Sequence, residues 1–219
     1  WTAGSYTARL VDAGTSTIAA NRLTTYTGSP LRFSTDGGIP NGAVNVLLPL
    51  ANGQVLAGGT FTAAGGNPGT ATKYLARYNA DGTFDSTFTA PSTTGAGAVT
   101  AMVQDPVSQK IYITGNFVDW GGDAARDSLI RLNSDGTLDG TFSSGAIGSL
   151  QGTPYRVTSL ALAPDGKLYV GGSFFGVNIG GTTNYNYQYL VRLNTDGTVD
   201  TTFPTTSTLM PSQVIALAT

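Results

Sequence analysis

Residues 165–174 read DGKLYVGGSF, and residues 189–203 read YLVRLNTDGTVDTTF. Each stretch holds a short β-rich run beside a turn signal. Leu168-Tyr-Val170 follows Asp165-Gly166, and Leu190-Val-Arg-Leu193 precedes Asp196-Gly197. Asp-Gly and Asn-Gly between apolar runs mark tight hairpins, because both residues tolerate the positive φ that such turns need. The same two blocks stand upstream. GQVLAGGTF (53–61) is followed by YLARYNADGTFDSTF (74–88), and QKIYITGNF (109–117) by SLIRLNSDGTLDGTF (128–142). The chain is therefore a repeat, and the repeat decides the fold.

An apolar run opens each unit, at Val44, Val99 and Val157, and a further one starts at Val214. These valines lie 55, 58 and 57 residues apart. Within a unit the order is constant. A first strand leads through a turn (Asn52-Gly53, Asp105-Pro106 or Asp165-Gly166) to a second strand ending in Gly-Gly-x-Phe or Gly-Asn-Phe. A variable loop carries a glycine pair (Gly65-Gly66, Gly121-Gly122, Gly180-Gly181). A third strand, the turn at Gly82, Gly136 or Gly197, and a short fourth strand ending in Phe complete the unit. No segment sustains a helical period. Four hairpin-linked strands recurring every ~55 residues predict an all-β fold, a β-propeller of four-stranded antiparallel blades.

The ends carry fragments of the pattern. Leu31 to Ile39 matches a third strand and second turn, and Val214 to Ala218 matches a first strand. The expected organisation is one domain, 1–219, with a partial blade at 1–41, full blades at 42–97, 98–155 and 156–212, and a first strand at 213–219. That makes about four blade equivalents. Two arrangements fit: a small closed ring in which the last strand completes the partial blade, or a piece of a larger propeller. The start at Trp1, without a Met, suggests a segment of a longer protein.

The motif Leu-x-Arg-Leu/Tyr-Asn-x-Asp-Gly-Thr-x-Asp-x-Thr-Phe, with Asp-Gly-Lys-x-Tyr-Val-Gly-Gly-Ser-Phe before it, resembles the bacterial delta-60 repeat family. The resemblance spans roughly residues 29–219 and is complete in three units. Residues 1–28 fit poorly, and Asp36-Gly37-Gly38 lacks the second Asp and the final Phe. The resemblance implies β-propeller blades in large secreted or surface-attached proteins, an extracellular location, and a binding or structural role rather than an enzymatic one.

Composition excludes much chemistry. Of 219 residues none is His or Cys, and all 13 acidic residues are Asp. There is no imidazole base, no Ser-His-Asp or Cys-His system, no thiolate or imidazole metal site and no disulfide. Lys167 recurs as Lys110 beside a turn, which speaks against a Ser-Lys nucleophile. A net charge of −2 gives no electrostatic reason to bind nucleic acid. The longest apolar run is far too short to span a bilayer, so no membrane insertion is expected.

Two readings compete for the recurring turn. Asn79, Asp81 and Asp85 place oxygens at alternate positions around a glycine, as do Asn133, Asp135 and Asp139, and Asn194, Asp196 and Asp200. Calcium loops use such spacing, but they also use a bidentate Glu, which is missing. The preferred reading is structural: the first Asp opens a tight turn, and the second accepts N–H bonds across it. Arg77, Arg131 and Arg192 are expected to pair with a nearby Asp or with carbonyls. No resident cofactor is expected, with calcium as the open alternative.

Unrepeated residues are the candidates for ligand contact. Asp119, Trp120, Asp123 and Asp127 share one loop, where an exposed indole beside carboxylates would suit a sugar. Tyr185 and Tyr187 lie in a longer loop, Asn184-Tyr185-Asn186-Tyr187, alternating with asparagines. For both loops plain packing or ordinary variability is the competing and preferred reading. The leading expectation is a non-enzymatic structural or adhesive repeat module of a large exported bacterial surface protein. Its partners would be other domains of the parent chain, further copies, or glycans. A lectin-like propeller using loop aromatics is the alternative, and an Asp-based glycan-active enzyme the weaker one.

Overall fold

The leading valine of each unit starts a strand because β-branched and apolar residues follow it up to a turn residue. In the computed structural model the described residues are 40–65, 73–91, 93, 97–122, 126–143, 147, 149–150, 153–154, 156–204 and 212–217. Three antiparallel sheets of three strands repeat along the chain. The first contains β1 (Val44–Pro49), β2 (Val55–Gly59) and β3 (Leu75–Tyr78), in that order. The second contains β4 (Val99–Gln104), β5 (Ile111–Gly115) and β6 (Leu129–Leu132). Then come a two-residue hairpin, β7 (Ser149–Leu150) with β8 (Thr153–Pro154), and β9 (Val157–Leu162). β10 (Leu168–Gly172) pairs with β9 on one side and with β13 (Leu190–Leu193) on the other. An added hairpin, β11 (Val177–Ile179) and β12 (Thr182–Asn184), fills the third loop. Among the described residues no helix is long and apolar enough to cross a membrane.

The middle strands β2 and β5 are buried along their whole length; other strands flank both, and β5 has another sheet on each face. Successive sheets pack face to face. Leu56, Val99, Ile113, Phe117 and Trp120 belong to one core, shared by the first and second units. Tyr112, Phe142, Val157, Val170 and Leu193 belong to the next, shared by the second and third. The first strands adjoin in turn, β1 beside β4 and β4 beside β9.

Side chains tie these first strands together. The residue after each leading valine donates a hydrogen bond to the leading valine of the next unit. Asn45 Nδ2 reaches the Val99 carbonyl at 3.0 Å, Thr100 Oγ1 the Val157 carbonyl at 2.9 Å, and Thr158 Oγ1 the Val214 carbonyl at 2.7 Å. Val214 thus stands in the place of a fourth leading valine, and its N–H donates to the Gly172 carbonyl. Residues 213–217 lie where a first strand was expected, without forming a ladder.

The glycine that ends the second strand has a steric cause. Each unit has a bulge at its leading valine, and a Cβ at Gly59, Gly115 or Gly172 would come within about 2 Å of the carbonyl oxygen of Ala43, Ala98 or Arg156. Only glycine admits that approach.

The fourth strand is shorter than expected. After each Asp-Gly turn a single residue, Phe84, Leu138 or Val199, bridges back to Tyr78, Leu132 or Leu193. The second Asp of the motif then ends the pairing. Its N–H bonds the carbonyl of Arg77, Arg131 or Arg192, and its side chain turns the chain away within two residues. The described sheets are therefore three-stranded, with the fourth position reduced to one bridge. The expected partial blade at 1–41 lies, but for residues 40–41, outside the described residues.

Candidate functional site

The two aspartates of each motif have different work. Asp81, Asp135 and Asp196 are exposed and stay in their own turns. Oδ1 of each accepts the backbone N–H and the hydroxyl of the threonine two residues on, at 2.9 and 2.7 Å. Those bonds lower all three carboxyls below their ordinary range. The glycines that follow them, Gly82, Gly136 and Gly197, take positive φ.

Asp85, Asp139 and Asp200 are buried. Oδ1 of each accepts the N–H and hydroxyl of Thr87, Thr141 or Thr202. Oδ2 accepts Nε of Arg77, Arg131 or Arg192 at 2.7 Å in every unit. A second donor reaches the same oxygen: Gln54 at 2.9 Å, Lys110 at 2.5 Å and Lys167 at 2.8 Å. Burial raises the Asp139 carboxyl, but the bonds from Lys110, Thr141 and Arg131 outweigh it and hold the group well below the usual carboxylate range. Asp200 is held low by Lys167 first and Thr202 next. Asp85, with glutamine in place of lysine, is lowered too, by Thr87 and Arg77 against its burial.

The arginines join one unit to the next. Arg77 lies 4.6 Å over the Phe88 ring and Arg131 4.7 Å over Phe142. Nη1 of Arg77 donates to the Ser134 carbonyl at 2.7 Å, and Nη1 of Arg131 to the Thr195 carbonyl. Both acceptors immediately precede the Asp-Gly turn of the following unit. The turn glycine seats on the phenylalanine: a Cβ at Gly136 would strike the Phe88 ring, and one at Gly197 would strike Phe142 and the Ser143 carbonyl. Arginine, aspartate and phenylalanine of one unit thus form a socket, and the next unit's turn is the plug.

This arrangement does not fit a calcium ion. Asp81 faces Thr83 while Asp85 faces Arg77, so the two carboxylates do not converge. Asp85 and its equivalents already accept four donors, cations among them. The Asn79, Asn133 and Asn194 amides donate to the turn threonines. Among the described residues no group of three or more acidic side chains could hold a metal.

The unrepeated residues divide. Trp120 is fully buried, edge-on to Phe117 at 4.6 Å, and bridges Thr93. It offers no face to a sugar, because the apolar indole closes the end of the first inter-unit core. Asp127 is buried and its Oδ1 accepts the Asp119 N–H, shaping the loop. Asp123 lies outside the described residues. Tyr187 is 3 % exposed in the second core, so it too is no platform. Tyr185 is 56 % exposed and lies against Gly176. On the other side of the added hairpin is an aromatic that the sequence did not single out: Phe175, 55 % exposed and edge-on to Tyr189 at 5.5 Å. Its signal was available, since Thr62 and Val118 occupy the same place in the other units.

An open cleft of about 360 Å³ runs between the second and third units, lined by Asp105, Lys110, Tyr112, Arg131, Thr195 and Asp196. A smaller one of about 190 Å³ lies at the equivalent place between the first and second, with Gln54, Arg77 and Ser134 on its walls. Both are the seams of the sockets.

None of the curated proteins is significantly similar to this chain. The family profile described as "Domain of unknown function (DUF5122) beta-propeller" matches residues 50–88, 110–142 and 163–203, a little over half of the chain. Each match covers the second and third strands of one sheet with its socket residues, and leaves out the first strand. The chain belongs to this β-propeller repeat family, the delta-60 type.

Proposed function

We propose that the protein is a non-enzymatic scaffold, a structural or adhesive repeat module of a large exported bacterial surface protein. Its blades would be four-stranded, about four in number, arranged as a small ring or as part of a larger propeller. One observation carries the reading: in every unit the repeated arginine and inner aspartate bind each other, and in the first two units the arginine also reaches a carbonyl of the next. Arg131 and Asp139 together accept or donate to Lys110, Tyr112, Thr141 and Thr195. A side chain so constrained is poor material for a nucleophile or a proton shuttle, which needs a free acceptor and access to substrate. An uncharged, Thr- and Gly-rich strand surface suits an extracellular spacer, and the family likeness supports export.

The test is turnover. The purified chain is incubated with a panel of polysaccharides and chromogenic glycosides. No product above the blank is expected. Product formation abolished by changing a single Asp would refute a scaffold.

A second reading has its own support. Phe175 and Tyr185, each more than half exposed, flank the added hairpin of the third unit. Aromatic faces beside asparagine amides suit sugar stacking. A glycan array with wild type and Tyr185→Ala decides it. Binding lost in the variant supports a lectin role, and an array at background removes it.

A further inference from the structure

The chain has two Asn-Gly pairs, Asn41-Gly42 and Asn52-Gly53, and both asparagines are exposed. Such a pair can close on itself: the glycine nitrogen reaches the asparagine side-chain carbonyl carbon, because glycine has no Cβ to hinder the approach. The fold treats the two pairs differently. Asn41 Oδ1 accepts the N–H groups of Thr62 and Ala63 at 2.9 and 3.0 Å, and its Nδ2 donates to Thr62 Oγ1 at 3.1 Å. Those partners lie 21 and 22 residues away, and the Gly42 backbone packs on that of Phe61. The bonds of Asn52 stay inside its own turn. Its Oδ1 accepts the Gln54 N–H at 3.1 Å, its Nδ2 donates to Gln54 Oε1 at 2.8 Å, and the Gly53 N–H bonds the Leu50 carbonyl. Freeing Asn52 means opening one exposed turn, whereas freeing Asn41 means breaking contacts between distant segments.

Asn52 is also joined to the first socket, through Gln54. While Gln54 Oε1 takes the Asn52 Nδ2 proton, Gln54 Nε2 donates to Asp85 Oδ2 at 2.9 Å and to Asn79 Oδ1 at 3.0 Å. With a carboxylate at position 52, no orientation of the Gln54 amide serves both ends. Nε2 toward Asp85 leaves Oε1 facing an anion, and the flipped amide turns Oε1 on Asp85. The third unit shows the arrangement that tolerates a carboxylate there. Asp165 and Lys167 stand in the two places, with the Lys167 N–H on Asp165 Oδ1 at 3.1 Å and Nζ on Asp200 at 2.8 Å. Asparagine goes with glutamine, and aspartate with lysine.

We infer that Asn52-Gly53 is a site of spontaneous deamidation whose product loosens the first socket. The Gly53 nitrogen bonds to Asn52 Cγ and the Cγ–Nδ2 bond breaks. The side-chain nitrogen takes up the glycine proton and leaves as ammonia. Solvent water then opens the cyclic imide at either carbonyl, giving aspartate or isoaspartate. The new carboxylate faces Gln54 Oε1, Gln54 turns away, and Asp85 loses its second donor. The first seam therefore weakens as the molecule ages. The second seam is spared, because Asp105-Pro106 replaces the Asn-Gly pair in the second unit and Lys110 serves Asp139.

The full chain is held in mildly alkaline buffer, either folded or in strong urea, and sampled over time by peptide mass spectrometry. In urea both pairs are expected to convert at similar rates. In the folded chain Asn52 is expected to convert at least about tenfold faster than Asn41. Equal rates in the folded chain, or Asn41 converting first, overturn the site. The consequence is read separately by urea unfolding. Asn52→Asp is expected to raise the unfolding constant about tenfold, the worth of one hydrogen bond to a charged group. Gln54→Lys, which rebuilds the pair of the third unit, is expected to stabilise the Asn52→Asp chain more than it stabilises the wild type. Wild-type stability in Asn52→Asp, or an equal gain from Gln54→Lys in both backgrounds, overturns the link to the socket.

Discussion

Replacing Asp139 by asparagine removes one charge and almost no volume. The Asn oxygen can still accept the Thr141 N–H and hydroxyl, so the local turn survives. What is lost is the anion facing Arg131 and Lys110. The Lys110 side chain is 29 % exposed and can swing to water, so its share is small, about 1 kcal/mol at most. Arg131 cannot follow. Its side chain is 8 % exposed, stacked on Phe142 and held by the Thr195 carbonyl across the seam. A buried guanidinium left without its partner costs about 3–5 kcal/mol. We expect D139N to lose about 4 kcal/mol, which for a chain of this size lowers Tm by about 10 °C. D135N, in the exposed turn four residues earlier, leaves stability close to that of the wild type, since Asn serves an Asx turn as well as Asp. Both are measured by urea unfolding, followed by far-UV circular dichroism and by tryptophan fluorescence, with Trp120 as the buried reporter. Coincident curves are required, because repeat arrays can unfold unit by unit. A D139N loss below about 1 kcal/mol, or one equal to that of D135N, would show that the socket charges are solvated and refute the interlock.

Acid should unfold the protein through the same residues. The native carboxyls of Asp85, Asp139 and Asp200 are lowered below the unfolded value of about 4, so their contribution is complete above pH 4–5 and is lost as pH falls toward the native values. With no histidine, the urea midpoint is expected to be flat from pH 7 to about 5 and to fall steadily below 4; a midpoint that holds to pH 2 contradicts this. Gly115→Ala brings a Cβ against the Ala98 carbonyl and should cost about 3 kcal/mol or more, whereas Gly140→Ala, with open space around it, should cost less than about 1. Excess EDTA should leave Tm unchanged, because the inner aspartates are already neutralised by side chains; a fall reversed by added calcium would show that an ion shares the turn.

The parts legible in the sequence are those governed by neighbours along the chain. Asp81-Gly82 announces its turn because the positive φ and the Asx bond to Thr83 are both local. The pairing of Arg77 with Asp85 was also readable, eight residues apart on either side of that turn. Which aromatic faces water was not readable. Trp120 and Tyr187 look like Tyr185 in composition, but neighbouring units cover the first two and leave the third. The shortened fourth strand escaped for a related reason. A β-rich sequence after the turn suggests a ladder, yet Asp139 needs its own N–H for the Arg131 carbonyl and its side chain for Thr141, and the strand stops there. The bulge glycines depend on a carbonyl that approaches from a strand some fifteen residues earlier, which periodicity does not reveal.

The first-strand bonds from Asn45, Thr100 and Thr158 use a side chain of one unit and only the backbone of the next. The acceptor asks nothing of the residue that carries it, so any copy can follow any other. A gene encoding such an array can lengthen or shorten by whole copies with every joint intact, while a partial copy breaks the chain of donors. Selection would then see changes in reach that come in steps of about fifty-five residues.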